Sequence, residues 1–261
     1  MRGVIVSRTL AALAVAAVAV SALAAPPGCS GTLYLTFDTG HMEPAPAIAD
    51  ILARHQVKAT FFIANEKTRA GGFTLDDSQK AFWQRLVKEG HAFGSHTFDH
   101  HYFRGDVGDT QVSYIPWGKT TKDGRLLDRA GVCAEIGKSE SRFRELTGRG
   151  FDGIWRAPGG KTTPRLLDYG RSCGWTHFGW ADAGFLGDEL PSETFSNDTL
   201  LKRAVGSLRD GDILMAHLGI WSRKDPFWPT LDPLIAQLKA KGFCFATIPE
   251  RPARAQATAG R

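Results

Sequence analysis

His96-Thr97-Phe98-Asp99-His100 is the sharpest chemical signal in the chain. Histidines four apart share one face of a helical turn, and each can turn a ring nitrogen toward one cation, zinc foremost, at about 2.0 to 2.1 Å. Further ionisable residues stand in comparable places. Asp38 closes the apolar run in LTFDTG, Arg156 closes GIWR, His217 closes DILMAH, and Asp182 follows WTHFGW by two residues. Together they set hydrolytic partners around a candidate metal-binding pair. Each alone would be ordinary, because charged residues often cap strands and a lone histidine is more often structural. Asp38, His96, Arg156, His217 and Asp182 converging on one place are not explained by packing.

Convergence requires a scaffold that gathers strand ends. Strand-like runs cover Thr32–Asp38, Lys58–Ala64, His91–His96, Gly153–Arg156, Trp175–Trp180, Asp212–His217 and Phe243–Ile248. Helical patterns separate most of them, over Pro46–His55, Asp76–Glu89, Cys133–Thr147, Pro164–Cys173, Asp198–Arg209 and Leu231–Lys241. Thr163 caps the fourth helix with Pro164 in its first position. Seven β units alternating with helices predict a parallel barrel or an open α/β sheet. In such barrels the carboxyl ends of the strands share one face, where Asp38, His96, Arg156 and His217 would meet. The segment 102–129 breaks the rhythm and has no clear period, so it reads as a long loop of functional character.

The 261 residues, 43% of them hydrophobic, suffice for one large core. The first residues have another purpose. Arg2 and Arg8 precede an Ala/Val/Leu run and then Ala22-Leu23-Ala24, the pattern of a cleaved secretory signal over residues 1–24. That run is short and alanine-rich for a stable membrane span. The expected domain covers residues 25–250, and 251–261 form an Ala/Pro-rich tail with a frayed look. Without the two leader arginines the formal charge of +5 falls to about +3. With no basic stripe interleaved with aromatics, nucleic acid is not an expected partner. Cys29, Cys133, Cys173 and Cys244 all follow the leader, which allows two disulfides in an oxidising compartment. Free buried thiols are the alternative.

Taken in order, LTFDTG, KATFF, GSHTFDH, WRAPGG, GDILMAH and LIAQLKAKGFCFATI resemble the motifs of the polysaccharide deacetylase family, carbohydrate esterases with a NodB homology domain, over nearly all of the mature chain. The resemblance implies a deformed (β/α) barrel of about seven parallel strands. It also implies metal-dependent removal of acetyl groups from N-acetylated, less often O-acetylated, sugars of a polysaccharide or oligosaccharide. By motif, Asp38 matches the general base, His96 and His100 the metal ligands, Arg156 the arginine that holds the base, and His217 the general acid. The metal would be divalent, zinc first, with cobalt able to substitute. The backbone N–H near Gly159 could complete an oxyanion site, since that position needs only its amide. An exported, periplasmic or secreted protein is expected.

Two departures stand out. The second aspartate of T-F-D-D-G, the family's third metal ligand, is Thr39 here, and a neutral hydroxyl is a poor zinc ligand. His41, two residues on, is the preferred substitute, with Asp99 and His101 also near the histidine pair in sequence. The second departure is WADAGFLGD in place of D-x-x-D-W, where Asp182 is the first choice to orient His217 and Asp188 the other. Trp221, Phe227 and Trp228 follow His217 in a loop where aromatic faces can stack on sugar rings. His55, His91 and His177 read as structural. Two function classes therefore follow: an exported metal-dependent sugar-amide hydrolase, and a degenerate relative that binds glycans without turning them over.

Overall fold

The computed structural model describes residues 28–116, 119 and 121–252, so the leader and the tail from residue 253 lie outside the described residues. Strand and helix alternate in the predicted order. β1 (Gly31–Asp38), α1 (Ala45–His55), β2 (Thr60–Ile63), α2 (Lys80–Lys88) and β3 (Ala92–Ser95) come first. An excursion of β4 (Tyr102–Val107), β5 (Gln111–Ile115) and β6 (Arg125–Leu127) follows. Then come α3 (Arg129–Thr147), β7 (Ile154–Trp155), α4 (Pro164–Ser172), β8 (Thr176–His177), α5 (Asn197–Ser207), β9 (Ile213–His217), α6 (Leu231–Ala240) and β10 (Phe243–Phe245).

Seven strands form one parallel sheet in the order β10-β1-β2-β3-β7-β8, with β9 also paired to β1, wrapped into a half-barrel. Side-chain parity divides it into two layers. Leu33, Leu35 and Phe37 of β1 face outward into the main core with Phe61, Phe93, Leu214 and the helices. Tyr34, Phe62, Ile154, Phe178 and Ile213 fill the interior. Asp38, His96, Arg156 and His217 have the same parity as these interior residues, so pleating alone aims all four inward at the carboxyl ends.

No ladder joins β8 to β9 among the described residues. The chain after β8 runs beside β9 instead: Ala181 N–H donates to Ile213 O at 3.1 Å and Leu186 N–H to Met215 O at 3.3 Å. Gly184 permits this approach, because a Cβ there would lie 1.9 Å from the Ile213 carbonyl oxygen. The predicted fifth strand, residues 175–180, shrinks to Thr176–His177. Its continuation turns the Phe178 and Gly179 carbonyls onto the Arg156 guanidinium, so they are lost to any ladder. α3 begins four residues before the predicted Cys133 because Asp128 caps it, its carboxylate accepting from Gly131 N–H at 2.9 Å.

Segment 102–129 is not a long loop but a three-stranded antiparallel sheet, β4-β5-β6. Its apolar alternation is short and broken by a bulge between Phe103 and Gly105, which hid the period. Phe103, Val112 and Tyr114 bury against Trp155 and α3. Two disulfides, Cys29–Cys244 and Cys133–Cys173, tie the start of β1 to β10 and α3 to the end of α4. No helix among the described residues is long and apolar enough to cross a membrane.

Candidate active site

Asp38 and Arg156 are 2% and 0% exposed, so each charge depends on the other. Arg156 spends its whole fork in the interior. Nη1 donates to Asp38 Oδ1 at 2.8 Å and to Thr36 Oγ1 at 2.9 Å, Nε to Phe178 O at 3.0 Å, and Nη2 to Gly179 O at 2.9 Å. Its guanidinium lies 4.1 Å from the centre of the Phe62 ring. Burial alone would raise the Asp38 pKa, but Arg156, then His96 and His217, outweigh it and hold the carboxyl below its ordinary value.

The histidine pair is carried by an irregular turn rather than the helical turn expected from its spacing. Thr97 (φ 59°) and His100 (φ 52°) are both left-handed, a strained state for such residues. The buried Glu135 of α3 holds the turn: its Oε1 accepts from Asp99 N–H at 3.1 Å and its carbonyl from Phe98 N–H at 3.1 Å. The two rings are nevertheless brought together, with centres 4.9 Å apart. His96 Nδ1 lies 2.9 Å from the Arg156 carbonyl oxygen, which fixes its proton there and leaves Nε2, 3.5 Å from Asp38 Oδ2, as the lone-pair nitrogen. Burial lowers the His96 pKa to about 3, so the ring is neutral.

Thr39 and His41 are engaged by other partners. Thr39 Oγ1 accepts from Ala64 N–H at 3.1 Å, which turns the hydroxyl to the end of β2. His41 Nδ1 accepts from Glu43 N–H at 3.2 Å, and its ring stands edge-on to Trp221 at 5.3 Å. Burial, then the Arg69 charge, pushes its pKa down. A cavity of about 630 Å³ runs from His41 past Trp221 and Trp228 to Asp188 and His217. Trp221 is 58% exposed, whereas Phe227 belongs to the core.

The sequence missed Glu66, whose Oε1 is 3.5 Å from His100 Nδ1 and whose Oε2 is buried with no hydrogen-bond partner among the described residues. Its signal was present: it follows a strand's carboxyl end by a few residues, as Asp182 does. Among the described residues no three His, Cys, Asp or Glu side chains enclose one point as they stand. The donor chemistry nevertheless fits a divalent cation, with two imidazoles and two carboxylates, Asp38 3.5 Å from His96 Nε2 and Glu66 3.5 Å from His100 Nδ1.

His217 is oriented by Asp188, which corrects the first choice, Asp182. Asp188 Oδ2 accepts from His217 N–H at 2.7 Å, and its two oxygens lie 3.1 and 3.2 Å from His217 Nδ1. The reason is register: Phe185 pairs in parallel with Met215, so the chain draws level with His217 only near residue 187. Asp182 is left exposed at the start of a 3-10 turn. Burial would lower the His217 pKa, but Asp188, aided by Asp38 and Glu189, raises it to about 9. Glu189 itself reaches within 4.0 Å of His217 Nε2. Gly159 (φ 68°) packs under Tyr102, where a Cβ would fall 2.4 Å from Cε1. Burial, then the charges of Glu189 and Glu66, push the Tyr102 hydroxyl up to about 12.

The three histidines read as structural have structural surroundings. His55 Nε2 lies 2.6 Å from Asp232, His91 Nδ1 accepts from Ala59 N–H at 3.0 Å, and the His177 ring stands edge-on to Trp155, where desolvation lowers its pKa to about 3.

The pattern that defines the polysaccharide deacetylase family matches residues 26–178. The chain is similar to a chitooligosaccharide deacetylase of Azorhizobium caulinodans, 26% identical over 84% of this chain and 93% of that one. Among solved structures it is similar to a peptidoglycan N-acetylglucosamine deacetylase in complex with 4-naphthalen-1-yl-N-oxidanyl-benzamide. That likeness has a TM-score of 0.64 and 25% identity over 85% of this chain and 88% of the other. The fold also matches a family 4 acetyl xylan esterase of Clostridium thermocellum in complex with a cobalt ion. There the TM-score is 0.62, with 22% identity over 84% of this chain and 89% of the other.

Proposed function

The chain belongs to the polysaccharide deacetylase family, and from that premise we propose that it is an exported, metal-dependent hydrolase that removes acetyl groups from N-acetylated sugars of a polysaccharide or oligosaccharide. The observation that carries the reading is the opposition of Asp38, kept ionised by Arg156, and His217, kept protonated by Asp188. A base and an acid with pKa values pushed apart in one site are what amide hydrolysis requires.

A divalent cation on His96 and His100 would polarise the acetyl carbonyl and make water acidic enough to attack it. Asp38 accepts the proton of that water as the new C–O bond forms. Gly159 lends its N–H to the developing oxyanion. His217 gives its proton to the sugar nitrogen as the C–N bond breaks, releasing acetate and the free amine. Trp221 and Trp228 offer stacking surfaces beside His217 for the sugar rings. The two disulfides and the leader pattern support export to an oxidising compartment. Zinc is the expected cation, and the cobalt ion bound by one structural neighbour is the precedent for a substitute.

One observation favours the second reading, a glycan binder without turnover: the hydroxyl of Thr39 is occupied by the Ala64 N–H. Acetate release from N-acetylglucosamine oligomers separates the two. The hydrolase releases acetate, loses this with chelator and regains it with zinc, and loses it in Asp38→Ala. Glycan binding that ignores chelator, with no acetate, would leave the binder.

A further inference from the structure

We propose that Glu66 is a carboxylate ligand of the cation held by His96 and His100, an inference that rests on the metal-dependent reading above. Two imidazoles leave a divalent ion short of the three or four protein donors it usually takes, and a carboxylate is a common third. Three acidic side chains stand near the pair, and two are committed elsewhere. Asp38, held through Oδ1 by Arg156, keeps Oδ2 3.5 Å from His96 Nε2 for its work as the base, and Asp99 faces Arg125 at 2.7 Å. Glu66 remains, with Oε2 buried and unpartnered among the described residues.

Its position is fixed rather than incidental. Asn65 N–H donates to Phe98 O at 2.8 Å, which clamps the end of β2 to the histidine turn. Glu66 N–H donates to Thr74 Oγ1 at 3.1 Å, and Thr74 N–H to Glu66 O at 2.9 Å. The 3.5 Å between His100 Nδ1 and Glu66 Oε1 is long for a hydrogen bond. It is close to the roughly 3.3 Å edge that two ligands share on a tetrahedral ion bound at about 2.0 Å. The carboxylate absent at Thr39, just past β1, is thus supplied from just past the end of the adjacent β2.

The test is zinc affinity of the full mature chain, by competition with a chromophoric chelator, together with the visible spectrum of the cobalt form. Glu66→Gln is isosteric and keeps the backbone clamps. It should weaken zinc by more than about 100-fold, beyond the roughly 10–100-fold lost with an outer partner, and should change the cobalt spectrum. Installing Thr39→Asp should shrink the cost of Glu66→Gln to a few-fold, since the two carboxylates then serve one purpose. Glu66→Gln with wild-type zinc affinity and an unchanged cobalt spectrum would overturn the assignment while leaving the metal-dependent reading intact. An equal cost of Glu66→Gln in both backgrounds would also overturn it. A wild-type chain that binds no zinc would overturn both.

Discussion

Asp188 grips His217 twice, through the histidine's backbone N–H at 2.7 Å and its Nδ1 at 3.1 and 3.2 Å. One carboxylate thereby fixes where the imidazole sits and stabilises its protonated form. Because the His217 pKa is raised to about 9, the acid form persists through neutral pH and is lost as pH rises through that value. Asp188→Asn keeps the shape and removes the charge. The alkaline limb of the kcat/KM profile should then move to lower pH, with roughly 10–100-fold less activity at pH 8. Stability follows the same linkage: the contribution of this charge is complete below about 6.5 and disappears as pH climbs through about 9. Urea midpoints should fall across that window in the wild type and stay flatter in the variant.

Arg156→Lys should behave as a severe change. Lysine offers one point charge where the guanidinium serves Asp38, Thr36, Phe178 and Gly179 along separate directions. Leaving the Asp38 charge imperfectly paired in a buried site should cost about 3–5 kcal/mol in chemical denaturation. Asp38 would also titrate at higher pH. The lowered Asp38 pKa contributes stability that is present above its ordinary value and lost as pH falls through the folded value, so the variant should lose less on acidification. Wild-type acid sensitivity in Arg156→Lys would contradict the pairing.

Metal dependence should separate the histidines. His96→Ala and His100→Ala are expected to weaken zinc by more than about 100-fold, while His41→Ala, whose ring faces Trp221 and Glu43, should stay within about threefold. Zinc affinity lost equally in His41→Ala would return that residue to the ligand set.

Trp221→Ala should raise KM roughly tenfold with kcat little changed, the signature of binding that is equal in ground and transition states. Its ring is exposed at the cavity beside His217, with Arg69 5.1 Å from its centre. A KM that does not move for chitooligosaccharides would remove this tryptophan from the sugar-binding surface.

Much of the site was legible in the chain itself. Apolar runs that end in Asp38, His96, Arg156 and His217 dictate both the strands and the inward parity of their last residues, because pleating ties side-chain direction to sequence position. The same local rules gave the strand–helix rhythm and the Thr163 cap. Local rules stop where partners come from distant chain segments. The pairing of cysteines, the choice of Asp188 over Asp182, the burial of the Thr39 hydroxyl against Ala64 and the arrival of Glu66 beside His100 all depend on which strand lies next to which. A one-residue change in register moves a carboxylate by more than 3 Å along a strand. Residue types and spacing therefore determined what chemistry this protein carries, whereas only the packed sheet decided which carboxylate stands within reach of each histidine.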